Sequence, residues 1–386
     1  MRALAFGSYD VGTHPRVRVL VEGIRANGVD VHEINEPLGM STAQRVKVLQ
    51  QPWRLPSAGI TLGSRWLRLA RLGLRSRREP APDFVLVGYL GHFDVLLARA
   101  LFPRATIVLD HLIFASGTAI DRGASSWGRA RLLRLVDLAA LRAASVIVVD
   151  TEEHRSMVPA RWRSRAVVVP VGASSDWFAA GDGPAPGPAP DGGAGGDPGD
   201  RPLEVLFFGL FTPLQGATVI ARALEIVHER GVPVRVTLVG SGQDHAAVHD
   251  RLASVPWVTW RDWVRPADLP GLVAAHDVSL GIFGDTRKAL DVVPNKIYQG
   301  AAAGTAVVTS DTPPQRRAFD GAAVLVPPAD PEALADALER LARDPGAVVR
   351  LKAAARARAT RDFAPEVVVA PLLDELGHPS PDSRPG

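Results

Sequence analysis

The sequence has no cysteine among its 386 residues, so neither a disulfide framework nor a thiolate metal site is open to it. That fits a reducing compartment. No apolar run approaches the roughly 20 residues that a membrane-spanning helix needs. Met1 is followed by Arg2 and a strand-like Ala3-Leu4-Ala5-Phe6-Gly7, not by the apolar core of a signal peptide. The expectation is a cytoplasmic protein. Acid is nearly missing from residues 41–80, where nine Lys/Arg stand against one carboxylate, Glu79. Such one-sided charge suits an anionic partner: a membrane surface or a phosphorylated lipid before nucleic acid. Between Arg65 and Arg78 the arginines recur at three- and four-residue spacing, with Trp66, Leu69, Ala70 and Leu74 on the other side. This predicts a basic amphipathic helix with an aromatic anchor, peripheral on the inner face of a membrane. A helix packing the same Trp and Leu on its own domain would carry the same pattern.

What is present is a repeated strand–helix rhythm. Apolar content of 46 % allows more than one buried core, and the length favours two domains. Arg2 to Phe6 reads as a strand. A turn-rich loop from Gly7 through Gly12 to His14 follows, then a helix opened by Pro15 and closed by Gly28. Strand, glycine-bearing loop, helix and strand form the start of a doubly wound sheet, whose loops at the carboxyl edge bind ligands. Gly12, Arg16 and Arg18 are therefore ligand-contact candidates there, with Arg16 and Arg18 either facing a phosphate or simply lying on the surface. Strands at 84–88, 105–109, 145–149 and 167–170 continue the pattern. Asp110 and His111 directly follow one of them, a carboxylate and an imidazole able to orient a hydroxyl or a sugar; a purely structural His111 is the alternative.

Residues 181–200 consist only of Gly, Ala, Pro and Asp and cannot build a core. They mark the clearest boundary. The expected organisation is an N-terminal domain over 1–178, a disordered linker over 179–202 and a second α/β domain over 203–345. Helices over 346–376 are expected to pack back on the first domain, ahead of a frayed tail over 377–386. In the second domain the strand Leu203–Gly209 runs into a tight loop, a helix over 217–230, and a strand over 234–239 that meets Gly240-Ser241-Gly242. Residues 281–309 combine a strand, a loop holding Arg287 and Lys288, and a helix with Asn295 as its N-cap followed by Lys296. A helix N-terminus beside three basic residues suits an anion such as a diphosphate. An ordinary crossover with solvated basic side chains is the other reading.

Several segments in order sharpen this: FFGLFTPLQGATVIARALE, VTLVGSGQD, GIFGDTRKALDVVPNKIYQGAAAGTAVVTSD and VLVPPADPEALADALERL. Residues 203–328 resemble the donor domain of the retaining glycosyltransferases of family 4, and GSYDVGTHPRVRVLVEGI looks, more loosely, like the acceptor domain of that family. The resemblance implies the α/β GT-B fold, two Rossmann-like doubly wound domains facing a cleft. It implies transfer of a sugar from an NDP-sugar, UDP- or GDP-linked, to a lipid-linked, phosphorylated or secondary-metabolite acceptor. No cofactor and no metal are expected, in keeping with the absence of any Asp-x-Asp pair. Donor contacts are then expected from Gly209, Thr212, Gln215, Gly216, Gly240, Trp263, Arg287, Lys288, Asn295, Lys296 and Gln299, with Asp110, His111 and Asp285 as catalytic candidates. Leu210 and Gln215 stand where many members of the family carry Arg and Lys, and Asp291 and Gln299 stand where they carry a Glu pair. Those departures keep two other readings open: an NDP-sugar epimerase of the same fold, and a sugar-nucleotide-binding subunit without turnover.

Overall fold

The computed structural model describes residues 1–10, 15–38, 55–88, 91–112, 127–183 and 201–378. Gly12, the basic residues 41–54, linker residues 184–200 and tail residues 379–386 lie outside them. The chain divides into two compact units, Met1–Pro170 with Pro365–Gly386, and Val171–Ala364.

The first unit is built on a six-stranded parallel sheet in the order β2-β1-β3-β4-β5-β6. Its strands are Arg2–Gly7, Asp30–Asn35, Phe84–Val87, Thr106–Asp110, Val146–Val149 and Ala166–Val168, numbered in chain order. The central strands are buried along their whole length, as FVLV and VIVV require of strands covered on both faces. The order turns at β1 and β3, so the crevice of this sheet lies at their carboxyl ends. Helix Arg16–Ala26 follows β1 and buries Val17, Leu20, Val21 and Ile24 at helical spacing. Gly28 closes it in the left-handed conformation, φ +78. Helix Pro365–Val368 packs on it so closely that a Cβ on Gly23 would lie 2.0 Å from the Pro365 carbonyl oxygen.

The second unit holds a parallel sheet in the order β12-β11-β10-β7-β8-β9. These strands are Leu203–Phe208, Val234–Val239, Val258–Arg261, Val278–Leu280, Ala306–Ser310 and Val324–Val326. Relabelled within the unit the order is 3-2-1-4-5-6 reversed, the dinucleotide-fold arrangement, and it turns at β7 and β10. Phe207, Val205, Val236, Leu238, Leu280 and Val308 form its core with the inward faces of helices Ala217–Glu229 and Pro331–Arg343. Burying each such side chain is worth about 1.5–3 kcal/mol.

The domain boundaries differ from those expected. The first crossing between units falls at Pro170/Val171, not at 178. Residues 179–182 belong to helix Ser175–Asp182, not to a linker: Trp177 stacks on Phe208 at 5.9 Å, and Arg356 hydrogen-bonds the Phe178 carbonyl and Asp182. Helix Pro345–Asp362 packs on helix Asn295–Ala302 and β11 of the second unit, so only residues from Pro365 onward return to the first. Helix Leu55–Ser76 forms as the arginine spacing predicts, but its aromatic anchor is not free. The Trp66 indole donates to Asp94 Oδ1 at 2.9 Å and packs edge-on to Phe93, while Leu69 is fully buried. Among the described residues no helix is long and apolar enough to cross a membrane.

Candidate functional site

The strongest candidate site lies where the second sheet changes direction, between the loops that follow β7 and β10. Glycines bring these loops into backbone contact. Gly216 adopts φ +68, and a Cβ there would lie 2.5 Å from the Phe283 carbonyl carbon. Gly284 faces the Pro213 carbonyl in the same way, with 2.2 Å to a built Cβ, and Phe283 N donates to the Gln215 carbonyl at 3.1 Å. The loop after β8 joins them: Gly240, φ +122, would place a Cβ 2.0 Å from the Gly209 carbonyl oxygen. No residue with a side chain fits at these positions without moving main chain. The outcome is a set of main-chain loops packed tightly at the carboxyl edge of the sheet, where doubly wound folds have their ligand crevice.

Lys296 stands at that crevice, on the first turn of helix Asn295–Ala302. It is 6 % exposed, and its Nζ has no hydrogen-bond partner. The ammonium sits 3.9 Å from the centroid of the Phe207 ring and 3.0 Å from a Cβ built on Gly209. Burial lowers its pKa well below the usual lysine value, because no carboxylate offsets the loss of water. Other buried polar atoms of this unit are also unsatisfied: Gln215 Oε1, Thr312 Oγ1 and Gln315 Nε2, the last two on the segment that follows β11. Native interiors leave few such atoms unpaired, so their presence on loops that follow neighbouring strands marks a place for a polar ligand.

The sequence-predicted donor residues divide accordingly. Gly209, Gly240 and Lys296 come together, while Gln215 and Gly216, on the same loop after β7, lie against Phe283 and Gly284. Thr212 is extended, its carbonyl accepting from Gln215 N and Gly216 N, and Gln299 is buried one turn beyond Lys296. Asn295 is the first helical residue, not the cap; Pro294 holds that place and no side chain caps the helix. Arg287 does not face the crevice. An unforeseen helix, Arg287–Asp291, capped by Thr286 Oγ1, leaves its side chain 86 % exposed, 3.7 Å from Asp291. Lys288 is half-buried on the same helix, and Asp285 is exposed just before it. Trp263 is 70 % exposed on the loop after β9, close in sequence to a ring cluster of Trp260, Phe211 and His245.

In the first unit the candidates are placed otherwise than expected. Arg16 is not a free acceptor ligand. It is 2 % exposed and donates to Asp110 Oδ1 at 2.8 Å, to the Pro170 carbonyl at 2.9 Å and to the Val169 carbonyl at 2.9 Å. Arg18 lies outside, 2.6 Å from Glu22. Asp110 and His111 are each 1 % exposed. Burial raises the Asp110 pKa against the pull of Arg16, and burial pushes the His111 imidazole down to about 3, which keeps it neutral. His111 packs at 5.1 Å against His92, whose Nε2 lies 3.1 Å from Asp137 Oδ1. Neither His92 nor Asp137 stands out in the sequence; 45 positions separate them, and only the strand order joins them.

Two doubly wound units with a glycine-floored, cation-bearing crevice at a switch point define an α/β protein of the GT-B type. The match to solved structures agrees. Anabaena HepE in complex with UDP-glucose superposes with a TM-score of 0.65 at 14 % identity, over 97 % of this chain and 98 % of that one. Sucrose-phosphate synthase from Thermosynechococcus elongatus gives 0.64 at 17 %, over 97 % of each. At this identity the likeness bears on fold alone. Residues 202–344 match the family model for glycosyl transferases group 1. A D-inositol 3-phosphate glycosyltransferase from Xylanimonas cellulosilytica is 33 % identical over 192 residues, which span 46 % of this chain and less than half, 43 %, of that relative.

Proposed function

We propose that the protein is a retaining glycosyltransferase that moves a sugar from a UDP- or GDP-linked donor to a phosphorylated or lipid-linked acceptor. The observation that carries this reading is Lys296, a buried amine with no hydrogen-bond partner beside the backbone of Gly209 at the switch point. An unsatisfied cation in such a crevice is prepared for an anion. When the bond between the anomeric carbon and the diphosphate breaks, negative charge grows on the leaving oxygens. A donor already in place lowers that barrier without reorganising at the moment of reaction. Lys296 provides this where Leu210 and Gln215 cannot, and the proposed departure needs no metal. UDP-glucose in HepE supports a UDP-sugar, and the substrate in the name of the Xylanimonas relative supports a phosphorylated acceptor.

Membrane contact is part of the same reading, with a changed face. Trp66 and Leu69 turn inward, but Leu67 and Leu74 are 59 % and 52 % exposed on helix Leu55–Ser76, flanked by Arg68, Arg71 and Arg75. Two leucines among arginines suit the boundary of an anionic bilayer.

Thermal-shift measurements with UDP, GDP and ADP test the donor site. A rise in melting temperature with UDP or GDP is expected, followed by slow hydrolysis of the matching NDP-sugar without acceptor and release of the retained anomer, read by NMR. No response to any nucleoside diphosphate overturns the reading. An isomerised NDP-sugar in place of free sugar identifies an epimerase.

A further inference from the structure

A second group of cations lies in the first unit, at the carboxyl ends of β1 and β2. Two carboxylates fasten helix Leu55–Ser76 there. The first is Asp94, which is buried. Its Oδ1 accepts the Trp66 indole N–H, and its Oδ2 accepts both the amide and the hydroxyl of Ser8 at 2.7 Å. Ser8 opens the loop after β1, at the switch point of this sheet. The second is Glu36, one residue past β2, whose amide donates to the Gly7 carbonyl at 3.0 Å. Arg65 and Arg68 converge on one of its oxygens. Arg65 Nη1 donates to Oε2 at 3.2 Å, and Arg68 Nη1 stands 3.6 Å from the same atom.

Two guanidinium charges therefore meet one carboxylate, and among the described residues neither has another acidic partner. The pair is open to solvent, with side chains 30 % and 59 % exposed. Arg16 at the same edge is closed around Asp110, and Arg18 is paired with Glu22, so this pair takes the phosphate-facing part expected of them. Leu67 and Leu74 project roughly opposite Arg65 on the helix, so the pair is distinct from the leucine-bearing face. Guanidinium forks with charge to spare suit a dianion of several oxygens, which can meet both forks at once where Glu36 offers a single oxygen.

We propose that Arg65 and Arg68 bind the phosphate monoester of the acceptor, with Glu36 as the internal counter-ion that this phosphate displaces; the assignment rests on the transferase reading, which supplies a phosphorylated acceptor. Trp66, Asp94 and Ser8 keep the helix at the sheet edge and so hold the two guanidinium groups in place. The site is separate from the donor diphosphate, whose candidate residues belong to the other unit.

Calorimetric titration of the full chain with glycerol 3-phosphate tests the site. Saturable binding is expected in the parent and in Lys296→Met. Changing Arg65 and Arg68 together to Gln should weaken it about tenfold or more. Glu36→Gln should tighten it, because the competitor is gone; arginines that only fasten the helix give no such opposite sign. Sedimentation with phosphatidylcholine vesicles carrying phosphatidic acid, or an equal charge of phosphatidylserine, separates the sources of the phosphate. Binding that needs the pair with phosphatidic acid but not with phosphatidylserine marks a lipid-borne monoester, and binding of glycerol 3-phosphate alone marks a soluble one. The proposal is overturned if neither probe binds through the pair, if Lys296→Met abolishes the binding, if Glu36→Gln weakens it, or if both lipids depend on the pair alike. Should the double variant fail to fold, Arg68→Gln, at the more exposed position, decides. The UDP response is followed in the same samples. Its absence in the parent would sink the donor reading and leave the phosphate site standing, while its presence without phosphate binding sinks this proposal alone.

Discussion

Replacing Lys296 by Met should push stability and binding in opposite directions. Met keeps most of the volume and the contact with the Phe207 ring, so packing changes cost under about 1.5 kcal/mol. It removes a buried amine that has no hydrogen-bond partner. Leaving such a group unsatisfied costs about 1–3 kcal/mol, so the ligand-free protein should gain on the order of 1 kcal/mol. A diphosphate, by contrast, loses a charge-assisted contact of about 1–3 kcal/mol, roughly a tenfold to hundredfold fall in affinity. Urea denaturation and titration calorimetry with UDP read the two effects. The pH dependence has a definite sign. The pKa of Lys296 is depressed in the folded state, so between that value and the usual 10.5 the unfolded chain holds more protons and stability rises with pH. An arriving dianion draws the proton back, and UDP binding should take up protons in that window, seen as a buffer-dependent enthalpy. A Lys296→Met protein that is less stable and binds UDP unchanged refutes the reasoning.

Arg16→Met should cost about 3–5 kcal/mol in urea denaturation, because it strands Asp110 in the interior, while the double change Arg16→Met with Asp110→Leu should recover much of it; a loss under about 1 kcal/mol for the single variant would mean that the pair is not buried as described. Gly240→Ala combines a left-handed φ with a clash on the Gly209 carbonyl and should lower stability by at least about 1–3 kcal/mol and abolish nucleotide response together. Sedimentation with vesicles should show binding that favours anionic lipid and falls when Leu67 and Leu74 are both changed to Ser. Equal binding to neutral and anionic vesicles counts against that face.

Much of the framework was legible because parallel strands buried on both faces announce themselves as short apolar runs, and Gly28, Gly216 and Gly240 fall where the chain needs positive φ. Side-chain direction was less so. Arg287 and Lys296 are equally basic in the sequence, but Thr286 nucleates a short helix that turns one to solvent, while the next helix turns the other inward. Trp66 reads as an anchor for lipid because period alone cannot tell which apolar stripe finds its own sheet. Asp94, 28 positions later, settled that by accepting its indole N–H. Arg16 met a partner 94 positions away, and His92 met Asp137 across the sheet. Pairings of that range depend on strand order, which no local pattern encodes.

The double crossing of the chain, at Pro170/Val171 and Ala364/Pro365, has a practical consequence for dissection. No single cut releases the first unit. A fragment ending at Pro170 lacks the segment that fits against Gly23, and it also loses the Glu366 carbonyl that accepts from Asn27 Nδ2. The bared groove would be an apolar liability on an otherwise finished fold. Residues 171–364, by contrast, are contiguous in sequence and contain every residue of the glycine-floored crevice. They are the fragment on which the proposed nucleotide binding can be measured free of the first unit, which is best recovered by splicing residue 170 to residue 365.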